Sequence, residues 1–409
     1  MRQRAQKLIS FLIIIYLLLI LAVLPLYMQD GLISIGSVKY YFFRDRTLLF
    51  VVLISVCTLF CLKSCKWTWS DTDIAMLAFA AASVLSFLFS EDKQTSFWGY
   101  DGWYMGLLSQ LLFVWIYFAV SRWYDGEEYL WKIAGAAAAV VFLLGVLNRM
   151  NLDPLGVYEN LTNWEWNHNH LLSTIGHYNW YCGYASVTAG ISLYYGFLGK
   201  GAERLIGLAG AFLSFVTLVS QGSEAAYPVM LVLMLILFMV SLEDRKGFLR
   251  FLQILMLLPA ACIFWQLLDQ FGAGEFNLIE DGSMDGFLFF KGWYVVLLLC
   301  AALYFIELFR EKTGKRDCLE NGKMRKYAAV VLIVMAVLGA GLLIACQFSD
   351  EVWQMLGGIE LLRFNYGWGN SRGGLWYMAF WGWLGGGIRQ LLVGVGPDCF
   401  SNLIYSVFD

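Results

Sequence analysis

Long apolar runs recur along most of this 409-residue chain, and they restrict its fold more than any other feature. Runs of this length cross a hydrocarbon core of about 30 Å as α-helices, because every backbone N–H and C=O group must be satisfied within the segment. Hydrophobic residues make up 60% of the chain and charged residues 14%, whereas a soluble domain is about a quarter charged. The sequence therefore predicts an all-α, polytopic membrane helix bundle.

The apolar runs predict about eleven transmembrane helices joined by connectors. Residues 1–347 would form this bundle, and residues 348–409 would form a segment rich in Gly, Trp and Arg outside the membrane. We expect that segment to be incomplete at its C-terminal end. The helix cores are expected to begin near Leu8, Thr47, Ile74, Met105, Tyr129, Trp180, Arg204, Ala225, Leu249, Gly292 and Tyr327.

The distribution of Lys and Arg predicts the orientation of the bundle. These residues favour cytoplasmic loops, and a cytoplasmic N-terminus places most of the 28 Lys and Arg residues in inner segments. The densest cluster lies between Arg310 and Lys326, which predicts the main cytoplasmic loop. We therefore expect a multi-pass protein of the cell membrane, in contact with membrane lipids, whose segment 348–409 is extracytoplasmic.

Charge excludes some classes of function. The formal net charge is −3, which gives no sign of nucleic-acid binding. The predicted spans carry almost no ionisable residues away from their ends, whereas ion-coupled transporters usually carry some near the bilayer midplane. Chemistry at the outer membrane surface therefore fits better than a proton relay, although carriers of sugars or lipids can be poor in charge too.

The spacing of three cysteines could indicate either a metal site or a packed helix face. Cys57, Cys61 and Cys65 would share one helical face, but no His lies nearby and the sequence has no paired CxxC pattern. Helix packing is the better interpretation, because cysteine often serves as a small buried hydrophobe. We predict no metal and no cofactor.

Two outer segments combine polar and aromatic residues. The first runs from Phe97 to Tyr104 and includes Trp98; an interfacial aromatic belt explains it, and a platform for stacking sugars is the alternative. The second is the long loop from about Arg149 to Asn179, which contains His168, His170 and His177, all the histidines of the chain.

Imidazole transfers protons near neutral pH, so one hypothesis gives His177 an acid/base role and Asn179 a substrate contact. A structural role in a polar loop is the simpler interpretation. A zinc site built from the three histidines would match no familiar ligand spacing.

The third outer segment is the turn from Ser220 to Glu224. Its backbone N–H groups and Ser223 would suit an anion at a helix start, or Glu224 would simply cap that helix. The fourth is the terminal segment, where Arg372 presents a planar donor fork suited to a lipid diphosphate. Trp376 follows one turn later, and would contact sugar or pack the segment.

Gly394, Gly396 and Pro397 predict a sharp turn that lets backbone approach a ligand. An ordinary surface loop is the alternative for this region.

At these residues the sequence resembles the O-antigen ligase and polymerase family of bacterial envelope enzymes. Two patterns of that family occur in order, an Arg followed by a Trp at Arg372 and Trp376, and a Gly-x-Gly-Pro turn at residues 394–397. Residues 176–180 are similar to the family's Gly-Asn-Asn pattern, and residues 220–224 to its Gly-Ser-Arg turn.

The resemblance implies metal-independent glycosyl transfer at the outer face, from a polyprenyl-diphosphate-linked glycan to the hydroxyl of a glycan or lipid acceptor. It gives Arg372 the role of stabilising the diphosphate. In the family a His beyond the Gly-Pro turn activates the acceptor, but none follows Pro397 here, and Glu224 stands where Arg is usual. We expect either a truncated, impaired sequence or a base from the second outer segment, with His177 as our candidate.

The leading hypothesis is thus an integral-membrane glycan ligase or polymerase of cell-envelope polysaccharide assembly. One alternative is a carrier or flippase for lipid-linked sugars or other envelope precursors, which would move substrate without forming glycosidic bonds. Another is a non-catalytic scaffold of polysaccharide export.

Overall fold

The computed structural model describes residues 2–60, 68–271, 286–314, 322–359 and 362–408. In these residues the chain is mostly helical, and a hairpin of two two-residue strands is the only sheet. The predicted all-α class is confirmed. Cys61 and Cys65 of the proposed packing face lie outside the described residues, as does the middle of the predicted basic loop at 315–321.

A π-helical turn at Leu19–Val23 lies between the first two helices. In chain order the elements are α1 (Arg2–Leu18), α2 (Leu24–Leu26), α3 (Ile35–Leu59), α4 (Asp71–Phe89), α5 (Lys93–Trp98), α6 (Leu107–Trp123), α7 (Glu128–Arg149), α8 (Trp164–His170), β1 (Leu171–Leu172), β2 (Gly176–His177), α9 (Tyr178–Leu198), α10 (Gly201–Ser220), α11 (Ala226–Ser241), α12 (Arg245–Leu255), α13 (Leu257–Phe271), α14 (Trp293–Lys312), α15 (Lys323–Phe348), α16 (Asp350–Met355), α17 (Trp368–Gly385), α18 (Gly387–Val393) and α19 (Phe400–Phe408).

Seven helices in the described part of the chain are long and apolar enough to cross a membrane. They are Gln6–Leu26, Asp71–Phe89, Glu128–Arg149, Gly201–Ser220, Arg245–Phe271, Trp293–Lys312 and Lys323–Phe348. The apolar helices α6 and α11 are shorter. Every predicted span core begins within or just before a helix. The chain is a membrane protein, while the full count of eleven spans stays a prediction.

The surface of α15 is apolar and exposed, which is typical of a helix that faces lipid rather than water. Val331, Ile333 and Leu338 are each more than half exposed on this helix. Soluble monomers rarely expose large contiguous apolar patches. A lipid environment removes that cost, because acyl chains are as apolar as these side chains.

The chain divides into two compact units. Unit 1 contains residues 1–13, 44–124 and 330–409, and unit 2 contains residues 14–43 and 125–329.

In unit 1, a buried carboxylate joins α4 to α6. The Ser70 hydroxyl and the Asp73 carboxylate form a capping box that begins α4. Asp73 also accepts hydrogen bonds from Arg122 (2.7 Å) and Tyr117 (3.0 Å) of α6. This network satisfies a charge that is fully buried, which would otherwise be costly.

In unit 2, the core lies among α7, α9, α10 and α13. Small residues permit close packing, since a Cβ on Gly207 of α10 would collide with the backbone of Gly196 on α9. Trp265 of α13 is fully buried and donates its indole N–H to the carbonyl of Val216 on α10 (3.0 Å). Phe215 packs in the same apolar cluster. This rigid packing positions the polar loops at the helix ends.

Candidate functional site

In unit 1, the C-terminal turn is bound to the aromatic segment 97–104. Oδ2 of Asp398 accepts the backbone N–H groups of Tyr100 (2.7 Å) and Met105 (2.8 Å), which lie 298 and 293 residues away along the chain. Hydrogen bonds to an ionised acceptor are stronger than neutral ones. We call these three residues the Asp398 clasp. It brings the first and fourth predicted outer segments together.

The turn needs glycine at two positions. Gly394 ends α18 with a φ of 71°, and Gly396 has a φ of 115°, which side chains rarely allow. A Cβ on Gly396 would collide with Oγ of Ser90 and lie 2.6 Å from Oγ of Ser96. The predicted sharp turn is present, with half-buried Pro397 next to Gly396. Serine side chains occupy the space that Gly396 leaves open.

A cavity of about 350 Å³ borders this turn. Its lining combines carboxylate, amide and guanidinium groups, which together offer the donors and acceptors that sugar hydroxyls need. Hydrogen bonds from Thr95 hold the pKa of Asp92 below its usual range, so this carboxylate stays ionised. The polar lining residues are Glu91, Asp92, Arg389, Gln390 and Asn402.

The three arginines of the terminal segment differ in their partners. Arg363 pairs with Asp350 (2.5 Å), and Arg389 pairs with Glu91 (2.9 Å). Arg372 is exposed near the start of α17 and has no hydrogen-bond or ion-pair partner among the described residues. Its guanidinium is therefore available to an anion, at the positive end of the helix dipole.

Trp376 lies one turn after Arg372 in α17. Its ring packs with Trp368 (centroids 5.4 Å apart) and Phe364 (6.3 Å) and is about half exposed. Farther along α17, a Cβ on Gly382 would lie 3.1 Å from the side chain of Leu403 on α19, so the two helices approach closely there. Because ten residues of helix span about 15 Å, Arg372 lies well away from that contact. The structure does not bring Arg372 and Trp376 into the Asp398 clasp.

Trp98 ends α5 beside the clasp. Its side chain is 49% exposed, and its ring meets that of Phe97 at a centroid distance of 4.9 Å. The exposed ring face suits a lipid interface and also the stacking of a sugar.

In unit 2, Arg149 joins the second and third outer segments. Its side chain is buried and donates to the carbonyls of His168 (3.4 Å), Asn169 (3.4 Å) and Gln221 (2.7 Å). Sequence reasoning treated Arg149 only as a loop boundary. A signal was present, since a basic residue at a predicted outer helix end runs against the usual bias.

The three histidines pack on aromatic rings. His168 stacks on Tyr158 with centroids 3.9 Å apart, and His170 stacks on Trp166 at 4.5 Å. The rings of His170 and His177 are 6.3 Å apart. Among the described residues, no group of three His, Cys, Asp or Glu side chains is arranged to hold a metal ion.

His177 caps the start of α9. Its Nδ1 accepts the backbone N–H of Asn179 (3.2 Å), and its ring stacks on Tyr178 at 4.4 Å. Burial, and secondarily the charge of His170, lowers the pKa of His177. The imidazole is therefore neutral near pH 7, with its proton on Nε2. A role as base would require Nδ1 to be released from Asn179.

In the turn at 220–224, Ser220, Gln221 and Ser223 are buried, whereas Glu224 is exposed. Ser223 is 4% exposed, and its carbonyl accepts the side-chain amide of Gln221 (2.6 Å). The carbonyl of Gln221 faces the guanidinium of Arg149. The turn therefore presents the Gln221 carbonyl to the buried guanidinium of Arg149. Ser223 has little exposed surface with which to bind the anion that the sequence suggested.

Comparison with known proteins gives no relative, since no family model, curated protein or solved structure matches this chain. The functional assignment therefore depends on the sites in the two units.

Proposed function

We propose that this chain is an integral-membrane glycosyltransferase-type ligase or polymerase that acts on a polyprenyl-diphosphate-linked glycan at the outer membrane face. The observation that carries the proposal is the unpaired state of Arg372 in the described structure, beside two arginines that have carboxylate partners. An exposed guanidinium next to an exposed indole suits a diphosphate attached to a sugar. Ser371, directly before Arg372, has a φ of 67°, and such strained backbone clusters at functional sites.

The reaction would replace one C–O bond by another. The oxygen of an acceptor hydroxyl attacks the anomeric carbon, the bond from that carbon to the diphosphate breaks, and the hydroxyl proton passes to a base. The leaving polyprenyl diphosphate gains negative charge, which Arg372 would stabilise.

The polar cavity beside the Asp398 clasp would hold a sugar of the glycan chain. Its carboxylate and amide oxygens accept hydrogen bonds from hydroxyl groups, and its single arginine is already paired with Glu91, so a neutral ligand fits better than a second phosphate. Binding a sugar remote from the reacting bond helps to orient the glycan.

We also propose the eleven-span topology, with a cytoplasmic N-terminus and an extracytoplasmic segment 348–409. Contacts within each unit support it, because they join loops that this topology puts on one side. The Asp398 clasp and the Arg149–Gln221 bond each join two outer segments. The Asp73–Arg122 and Lys132–Glu203 pairs each join two inner ones.

The test of Arg372 is a binding measurement on the full chain in detergent, with a polyprenyl diphosphate as the probe. Charge-assisted hydrogen bonds contribute about 1.5–3 kcal/mol, so Arg372→Ala should weaken binding by roughly 10- to 100-fold. Arg372→Lys should recover part of the affinity, because it keeps the charge but loses the planar fork.

Arg363→Ala is the matched control, since that arginine is already paired with Asp350. Its affinity for the diphosphate should stay near that of the parent chain. Equal affinity in the Arg372→Ala and parent proteins would remove Arg372 from the proposed mechanism.

A further inference from the structure

A second cavity, of about 560 Å³, lies between α7, α9 and α10 in unit 2. Its walls are mostly small and apolar, including Gly135, Ala136 and Ala139 of α7 and Ala209 and Gly210 of α10. The volume falls within the range of small-molecule sites, about 300–1,000 Å³. We call this cavity the α7–α10 groove.

The depth of the groove matches one leaflet of a bilayer. Its lining on α10 runs from Glu203 to Leu213, and ten residues of helix rise about 15 Å, half of a hydrocarbon core of about 30 Å. Both α7 and α10 are long and apolar enough to cross a membrane. The groove is therefore long enough for an extended alkyl chain.

The mouth of the groove carries charge of both signs. Lys132 pairs with Glu203 (2.8 Å) and with Glu128 (3.1 Å), and its Nζ lies 5.8 Å from the centroid of Tyr195. All three charged side chains are more than one third exposed. Trp131 lines the same end, and Trp and Tyr favour the headgroup level of a membrane.

We propose that the α7–α10 groove binds an acyl chain of a phospholipid whose headgroup carries a phosphate and a primary ammonium. The two carboxylates can accept N–H donors from the ammonium, while Lys132 contacts the phosphate. Two carboxylates around one lysine disfavour a lipid with net negative charge, and a trimethylated ammonium has no N–H to donate. The proposal is independent of the proposed glycan transfer.

The first test measures lipid retention. The full chain is equilibrated with an equimolar mixture of phosphatidylethanolamine, phosphatidylcholine and phosphatidylglycerol, and the lipids that remain bound are identified by native mass spectrometry. The chain should retain phosphatidylethanolamine about tenfold over the other two, as expected for one charge-assisted hydrogen bond. The double change Glu128→Gln and Glu203→Gln should remove that preference.

Filling the groove gives a second arm. Ala139→Leu combined with Ala209→Leu should abolish retention, whereas Ala202→Leu, at an exposed site of α10 outside the groove, should leave it unchanged. Equal retention of the three lipids, preference for phosphatidylglycerol, or full retention by the filled variant would overturn the proposal.

A third measurement on the unmodified chain does not depend on whether a variant folds. A phosphatidylethanolamine with a photoreactive group in its acyl chain should crosslink to residues 131–139, 191–195 or 203–213, which line the groove. Crosslinks confined to other segments would contradict the groove as the binding site.

Discussion

At the scale of single residues, Asp398 and Arg149 do similar work in separate units. Each uses a charged side chain to bind backbone groups of a loop that is distant in sequence. Because the partners are backbone groups, the loop side chains can change without loss of these contacts. The charged residue itself cannot. Neither residue was selected from the sequence, because a lone Asp after a turn and a lone Arg at a helix end are common.

Replacing Asp398 should release the aromatic segment of unit 1. In Asp398→Ala the amides of Tyr100 and Met105 lose their acceptor, so their hydrogen exchange should accelerate by roughly 10- to 100-fold. Asp350→Ala removes an exposed carboxylate of the same unit and should leave these amides unaffected. Unchanged exchange at both amides in Asp398→Ala would contradict the clasp.

Replacing Arg149 should destabilise unit 2. Arg149→Met preserves much of the side-chain volume but leaves the carbonyls of His168, Asn169 and Gln221 without their donor. The free energy of unfolding should fall by about 3 kcal/mol. The measurement is the thermal midpoint in detergent. Arg325→Met, which breaks only an exposed pair with Glu243, should have a small effect; an equally small effect of Arg149→Met would be inconsistent with the described network.

At the scale of elements, the sequence predicted the helices, but it predicted only some of the residues that cap their starts. Uninterrupted apolar residues predict α7 and α15 without knowledge of their neighbours, because a lipid-facing helix needs apolar residues on every side. The His177 cap of α9 was not predicted, since His is an unusual N-cap and the sequence equally suited proton transfer.

The His177 cap should make stability depend on pH. Burial lowers the pKa of His177, so the folded state binds its proton less readily than the unfolded state, whose value is about 6.5. The stabilisation by the neutral His177 cap is complete above pH about 6.5, the pKa of the unfolded state. It is lost as the pH falls through the lower pKa of the folded state. The thermal midpoint in detergent should therefore fall from pH 7 to pH 5.

His177→Asn is the informative comparison, because Asn caps helices well and does not titrate in this range. This variant should show a flatter dependence of the midpoint on pH than the parent chain. The same slope in both proteins would mean that His177 does not contribute to it.

At the scale of the whole molecule, the sequence predicted the class and the loops of interest but not how those loops pair. The link between residues 97–104 and Asp398 spans almost the entire chain, and no local pattern predicts a contact of that separation. Arg372 was selected for its chemistry, and the structure adds that its neighbours Arg363 and Arg389 are paired. The proposed topology connects these findings, because the proposed diphosphate site at the outer face requires α17 to lie outside.

The most direct test of this account is the side of the membrane on which the terminal segment lies. A site for a specific protease is inserted at Gly357, in the exposed turn after α16, or at Gly314, in the turn after α14. Protease added to intact cells should cut the Gly357 insertion without permeabilisation, and the Gly314 insertion only after it. Cleavage at Gly357 that requires permeabilisation would contradict an outer-face site for Arg372.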